Sequence, residues 1–151
     1  MKELVDYKKL KDEITADPLV RGYSSMTDQQ VVDSLNVVDR LVVDSIIVGS
    51  LGIMREIGPT LGATILDKLE AAATVDSRLK WFMKELNING IDIGNVVTRA
   101  TIDALVTAGV LLASEGTSLK GIPEKTVSRA SELGFPELSA QEINNARTMS
   151  W

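Results

Sequence analysis

Ala16–Asn36 reads ADPLVRGYSSMTDQQVVDSLN, and its reading decides the fold because it ends one helix and opens another. Upstream, Leu4, Tyr7, Leu10 and Ile14 recur at helical spacing with charges between them, which predicts a helix over Lys2–Ala16. Asp17-Pro18 stops it, because the residue before a proline is pushed out of the helical region. Downstream, Thr27 and Gln30 have the spacing of a capping box. A helix over about Asp28–Asn36 follows, with Val31, Val32 and Leu35 inward and Asp28 at the favourable end of the dipole.

Between these signals lies Arg21-Gly22-Tyr23. Gly22 supplies a backbone conformation that other residues resist. Arg21 can pair with a carboxylate or a phosphate, and Tyr23 can pack its ring and bond through its hydroxyl. Two readings stand. Either the loop offers Arg21 and Tyr23 to a partner, or its own side chains pin it. In the second reading Tyr23 and Met26 plug the core while Arg21 holds a carboxylate or a helix C-terminus.

The rest of the chain continues in helices. VVDRLVVD, Val37–Asp44, is β-branched and partly alternating, and fits either a short extended piece or an irregular connector. Asp44 or Ser45 is expected to cap a helix reaching about Ile57, apolar nearly all round and hence buried on several sides. Gly49 and Gly52 would let another helix approach it closely. Thr60 is expected to cap the next helix, to about Thr74. Asp76 or Ser77 starts SRLKWFMKELN, whose apolar face is Leu79, Phe82, Met83 and Leu86, with Trp81 off that stripe. NINGIDIGN is a loop, and Val96–Ala108 is a helix with Gly109 just past its end. ASEGTSLKGIPEK reads as a broken polar connector with a helical turn or two. Ser128–Gly134 is a short helix, and Ser139 with Glu142 opens a last one to about Met149. The expected fold is all-α: one domain over 1–151, a compact bundle of about six to eight helices, with room for one extended segment near 37–43.

The chain of 151 residues is long enough for a real core, and its 44% hydrophobic and 25% charged residues are ordinary for a globular protein. Cysteine and histidine are both absent. That removes thiol chemistry, the near-neutral imidazole and any Ser-His-Asp or Cys-His mechanism within one chain. A net charge of −5 without a basic cluster counts against nucleic acid. The most apolar run, Ser45–Met54, is about ten residues, against the roughly 20 a bilayer needs, and the N-terminus carries no apolar signal region. Asp28/Asp33 and Asp39/Asp44 are spaced for neither chelation nor acid/base work, and NINGIDIGN lacks the ligand spacing of a calcium loop. VGSLG and GPTLGATI lack the Lys-Ser/Thr of a phosphate loop. No catalytic, cofactor or metal residue is assigned. RLKWFMK leaves Trp81 with cations on the outer side of its helix, which makes Trp81 the first candidate contact residue. The terminal Trp151 is the second, and either Trp also fits a core position.

DPLVRGYSSMTDQQVVDSLN resembles a pattern found in small proteins encoded among the structural genes of tailed bacteriophages: Asp-Pro, then Arg-Gly-Tyr, then Met-Ser/Thr-Asp and a short helix ending in Leu-Asn. TRATIDALVTAGVLLASEG, VSRASELGFPELS and EINNAR are similar to the C-terminal half of that family. The matching pieces span about half the chain, from one end to the other; VVDRLVVDSIIVGSLGIM departs from the pattern. The resemblance carries no catalytic residues. It implies a non-enzymatic virion or virion-assembly protein of the neck or tail, made in the host cytoplasm. Such a protein would act through contacts with other virion proteins and with copies of itself, where a repeated patch builds a ring or lattice. Under that reading the interface draws on Arg21, Tyr23, Trp81 and Trp151. The alternative is a small phage-encoded regulator or host-factor binder, and a carboxylate or Tyr23 enzyme is the third.

Overall fold

The computed structural model describes residues 4–150. Helix α1 is Tyr7–Ala16, opened by Asp6, whose carboxylate accepts from the Lys9 N–H at 3.0 Å. It starts later than the periodicity predicts, and Leu4 ahead of it is exposed. It ends on Asp17 in the left-handed region, φ 42°. Helix α2 is Asp28–Asn36 behind the expected Thr27–Gln30 capping box, with Val31, Val32 and Leu35 buried as expected.

The extended alternative expected near 37–43 is the one present, and the departure from expectation comes just after it. Val38–Val43 forms strand β1, and Ile47–Val48 forms β2. Helix α3 spans only Ser50–Ile57, behind Gly49. The expected start at Asp44 or Ser45 fails because β-branched Ile46, Ile47 and Val48 favour extended backbone once a partner strand exists. That partner comes 44 residues later, with Val48 opposite Ile91 and Ile47 opposite Asp92 in an antiparallel pair. The Asp92 carboxylate fixes the entry, accepting from the Ser45 hydroxyl at 2.6 Å and the Ile46 N–H at 3.0 Å. The Ser45 bond foremost holds the Asp92 carboxyl below its ordinary range. Nor is α3 buried on several sides: Ile53 is inside while Leu51 is 75% exposed. A Cβ on Gly49 would lie 3.4 Å from the Leu86 carbonyl, but one on Gly52 would meet Val48 of the strand, not another helix.

Helix α4 is Pro59–Ala73, with Pro59 in its first turn instead of the expected Thr60 cap. Helix α5 is Ser77–Ile88, capped by Asp76, whose carboxylate accepts from the Arg78 N–H. Strand β3 is Ile91–Asp92, and α6 is Val96–Thr107, followed by Gly109 at φ 76°. In the expected polar connector the helical turn or two extends to a nine-residue helix, α7, Ala113–Gly121, running into β4, Glu124–Ser128. Pattern alone misses the full length of α7 because its buried positions are Glu115, Gly116 and Leu119. Glu115 accepts from Lys68 at 2.6 Å and from the Leu112 N–H at 2.8 Å. Gly116 lies so close to α6 that a Cβ there would fall 2.6 Å from the Val106 side chain. Helix α8 is Arg129–Glu132, and α9 is Ala140–Thr148 behind Ser139 and Glu142.

The described residues are therefore mainly α, with nine α-helices and four short strands, and not purely all-α. They also fall into two compact units where one bundle is expected. The first joins the chain up to Val42 with the chain from Thr126 onward, and the second is Val43–Lys125. Strand β1 pairs with β4, and the chain passes from one unit to the other within these strands. Each unit has its own core. In the first, α1 and α2 pack on α9 around Leu10, Tyr23, Leu35 and Ile143. Lys9 and Lys11 of α1 donate to the Leu133 and Met149 carbonyls, satisfying the ends of α8 and α9. In the second, α3 packs on α4, α4 on α5 and α6 on α7, around Ile53, Ile65, Leu86 and Ile102.

Candidate functional site: the Arg-Gly-Tyr loop and the outer face of α5

The Arg-Gly-Tyr loop is bound from inside the first unit. The Asp17 carboxylate accepts from the Arg21 N–H at 2.8 Å and the Gly22 N–H at 2.7 Å. Burial pushes its pKa up, but the backbone donors of Arg21, Gly22 and Tyr23 outweigh that and leave it below the ordinary value. Gly22 sits at φ 82°, where a side chain would be strained. Arg21 donates to the Ser34 carbonyl in the last turn of α2, and its Nη2 donates to both Asp39 oxygens, at 2.8 and 3.0 Å. Arg147 reaches in from α9. Its Nη2 donates to the Tyr23 carbonyl at 2.7 Å and the Met26 carbonyl at 2.9 Å, while Nη1 pairs with Asp28.

Tyr23 is fully buried, and none of the described residues hydrogen-bonds its hydroxyl. Burial pushes the phenol pKa up. A residue with no exposed surface cannot be a contact residue, so the expectation of an interface at Tyr23 is corrected: its ring fills the core. Arg21 is likewise turned inward, its side chain 12% exposed and committed to Ser34 and Asp39. The motif residues thus gather in one place, but as a clasp that closes the chain on itself.

Beside the clasp runs a charged chain that the sequence does not announce. Arg129 meets the buried Glu13 with two parallel bonds of 2.8 Å each, and its Nη1 donates to Glu132 at 3.0 Å. Arg40 donates to Glu132 from Nε at 2.9 Å. Those bonds, Arg40's first, push the Glu132 carboxyl down to about 2. Glu13 and Arg129 are 116 residues apart, and Arg147 is 119 from Asp28, so no local spacing could have found them.

The outer face of α5 is the opposite case. Leu79, Met83 and Leu86 face the core of the second unit, whereas Trp81 is 61% and Ile88 66% exposed. Lys84 Nζ lies 4.7 Å from the centre of the Trp81 ring, a cation–π contact. Glu85, also exposed, accepts from the Asn89 side chain at 2.9 Å. Trp81 therefore lies off the core stripe, as its spacing predicts, and of the two positions the sequence left open for it, it takes the exposed one. Trp151, the fourth expected contact residue, lies outside the described residues.

At the N-terminal end of α5 a cleft of about 360 Å³ opens between α4, α5 and α6, lined mainly by Ala72, Val75, Leu79, Ala104 and Ala108. Its charged residues, Asp76 and Arg78, bond each other, and the Arg78 side-chain bond foremost lowers the Asp76 pKa. Among the described residues no group of three or more acidic side chains is placed to hold a metal ion. None of the described helices is long and apolar enough to cross a membrane. The described residues define a mainly-α protein with an inward clasp and an outward aromatic face on α5. Comparison with models of known protein families, with curated proteins and with solved structures finds no match.

Proposed function

We propose that this protein is a non-enzymatic structural component of a tailed-bacteriophage virion, in the neck or tail, acting through protein–protein contacts. The observation that carries the reading is Trp81, a large aromatic side chain held open to solvent on α5. An exposed tryptophan costs solubility, and tryptophan is among the residues that dominate binding at interfaces. The resemblance of the Asp-Pro-x-x-Arg-Gly-Tyr-x-x-Met-Thr-Asp segment to phage structural-cluster proteins supplies the setting. Its partners in this reading are other virion proteins and further copies of the chain. The clasp serves that role indirectly, by holding the loop of the first unit in place.

The test is purification of intact particles followed by quantitative mass spectrometry. The reading expects this chain in the particles at a fixed copy number matching a ring or lattice symmetry. Its absence from purified particles would overturn the reading.

A further inference from the structure

Successive residues of an α-helix turn by about 100°, so Trp81 and Ile88, seven apart, share one line along α5. That line lies opposite the core line of Leu79, Met83 and Leu86. Midway between the two apolar residues stand Lys84 and Glu85, about 50° to either side of the line. At this central level one flank is positive and the other negative; Arg78, nearer the helix start on Glu85's side, is paired with Asp76.

The Lys84–Glu85 pair is self-complementary under one symmetry and self-repelling under the other. If two copies meet with their α5 helices antiparallel, the two-fold axis brings Lys84 to its own counterpart and Glu85 to its own. If the helices run parallel, each Lys84 lands beside the other copy's Glu85, and the pairing occurs twice. Trp81 and Ile88 then pack on their counterparts along the seam. We infer that a second copy of this chain docks on the outer face of α5, with the two helices side by side and pointing the same way. The inference rests on the reading of this face as a contact surface and names its occupant.

Two apolar layers bury little. A tryptophan contributes about 150–250 Å², and the whole contact falls under the roughly 1,200 Å² below which associations are weak. A dissociation constant on the order of 100 µM is expected, suited to subunits crowded together in a particle.

Sedimentation equilibrium of the full chain tests this, from about 10 µM to about 1 mM, a range that brackets the expected constant. The wild type should pass from monomer to dimer. Lys84→Glu and Glu85→Lys, both at exposed positions, should each weaken the dimer about tenfold, since each replaces two attractive pairs with two repulsive ones. An equimolar mixture of the two variants should recover it, because one then carries two glutamates and the other two lysines. Trp81→Ala should abolish it. A wild type that stays monomeric throughout, charge variants that associate like the wild type, or a mixture that fails to recover would each overturn the pairing. A monomer in solution that is present in purified particles would sink the pairing and leave the virion reading standing. A dimer absent from particles would do the reverse.

Discussion

The Arg-Gly-Tyr loop and the outer face of α5 use their distinctive residues in opposite directions. In the loop, Asp17, Arg21 and Asp28 spend their bonds on the first unit itself, and Tyr23 buries its ring there. On α5, Trp81 and Ile88 keep most of their surface open to solvent. The loop is the louder sequence, with several unusual residues at fixed spacing, and yet its Arg21 and Tyr23 side chains are turned inward. The difference teaches that a dense motif marks a demanding piece of backbone as readily as a site. The quiet surface, where apolar side chains have no internal use, is the better guide to contact.

That contrast can be broken by mutation. The largest effect is expected at Glu13→Ala, which leaves Arg129 without its bidentate partner in a buried setting. Breaking one side of such a pair costs about 3–5 kcal/mol, so urea unfolding should shift by that amount. A smaller cost would mean that the network is ornamental.

Acid should expose the same network. The folded-state pKa of Glu132 lies at about 2, below its ordinary 4.5. The stability it contributes is therefore full above 4.5 and is lost as pH falls from there towards about 2. A pH series of unfolding midpoints should show this loss, and Glu132→Gln should flatten it.

Tyr23→Phe has the opposite sign. It removes a buried hydroxyl without a partner and keeps the ring, so the protein should gain about 1 kcal/mol in the same unfolding assay. A loss of stability, or a loss of incorporation into particles, would return Tyr23 to the list of functional residues.

The smallest stability effect is expected at Trp81→Ala, within about 0.5 kcal/mol, because its side chain lies largely outside the core. The same variant should lose self-association. Stability and association would then separate cleanly between the two regions.

Much of the helical frame was legible from local chemistry. The Thr27–Gln30 capping box, the Asp17-Pro18 stop, the Asp76 cap and the glycines past α6 and α8 are short-range signals, and each acts where it stands. The alternative reading of the loop, with Tyr23 in the core and Arg21 on a carboxylate and a helix end, was legible too. Non-local facts were not. Ile47 and Val48 become a strand only because Ile91 and Asp92 return to pair with them. Helix α7 hides its burial behind Glu115, made tolerable by Lys68, and behind Gly116, whose missing side chain is what allows packing. The two-unit division arises because the chain after Thr126 rejoins the core begun before Val42, a closure that no window of sequence contains.

The central claim is that contacts form on α5 while the Arg-Gly-Tyr loop serves the fold. A concentration series of two-dimensional amide NMR spectra compares the two regions in one sample. Shifts confined to residues 77–89, with residues 17–26 unmoved, are the predicted result. Shifts across 17–26 with α5 unchanged would contradict it.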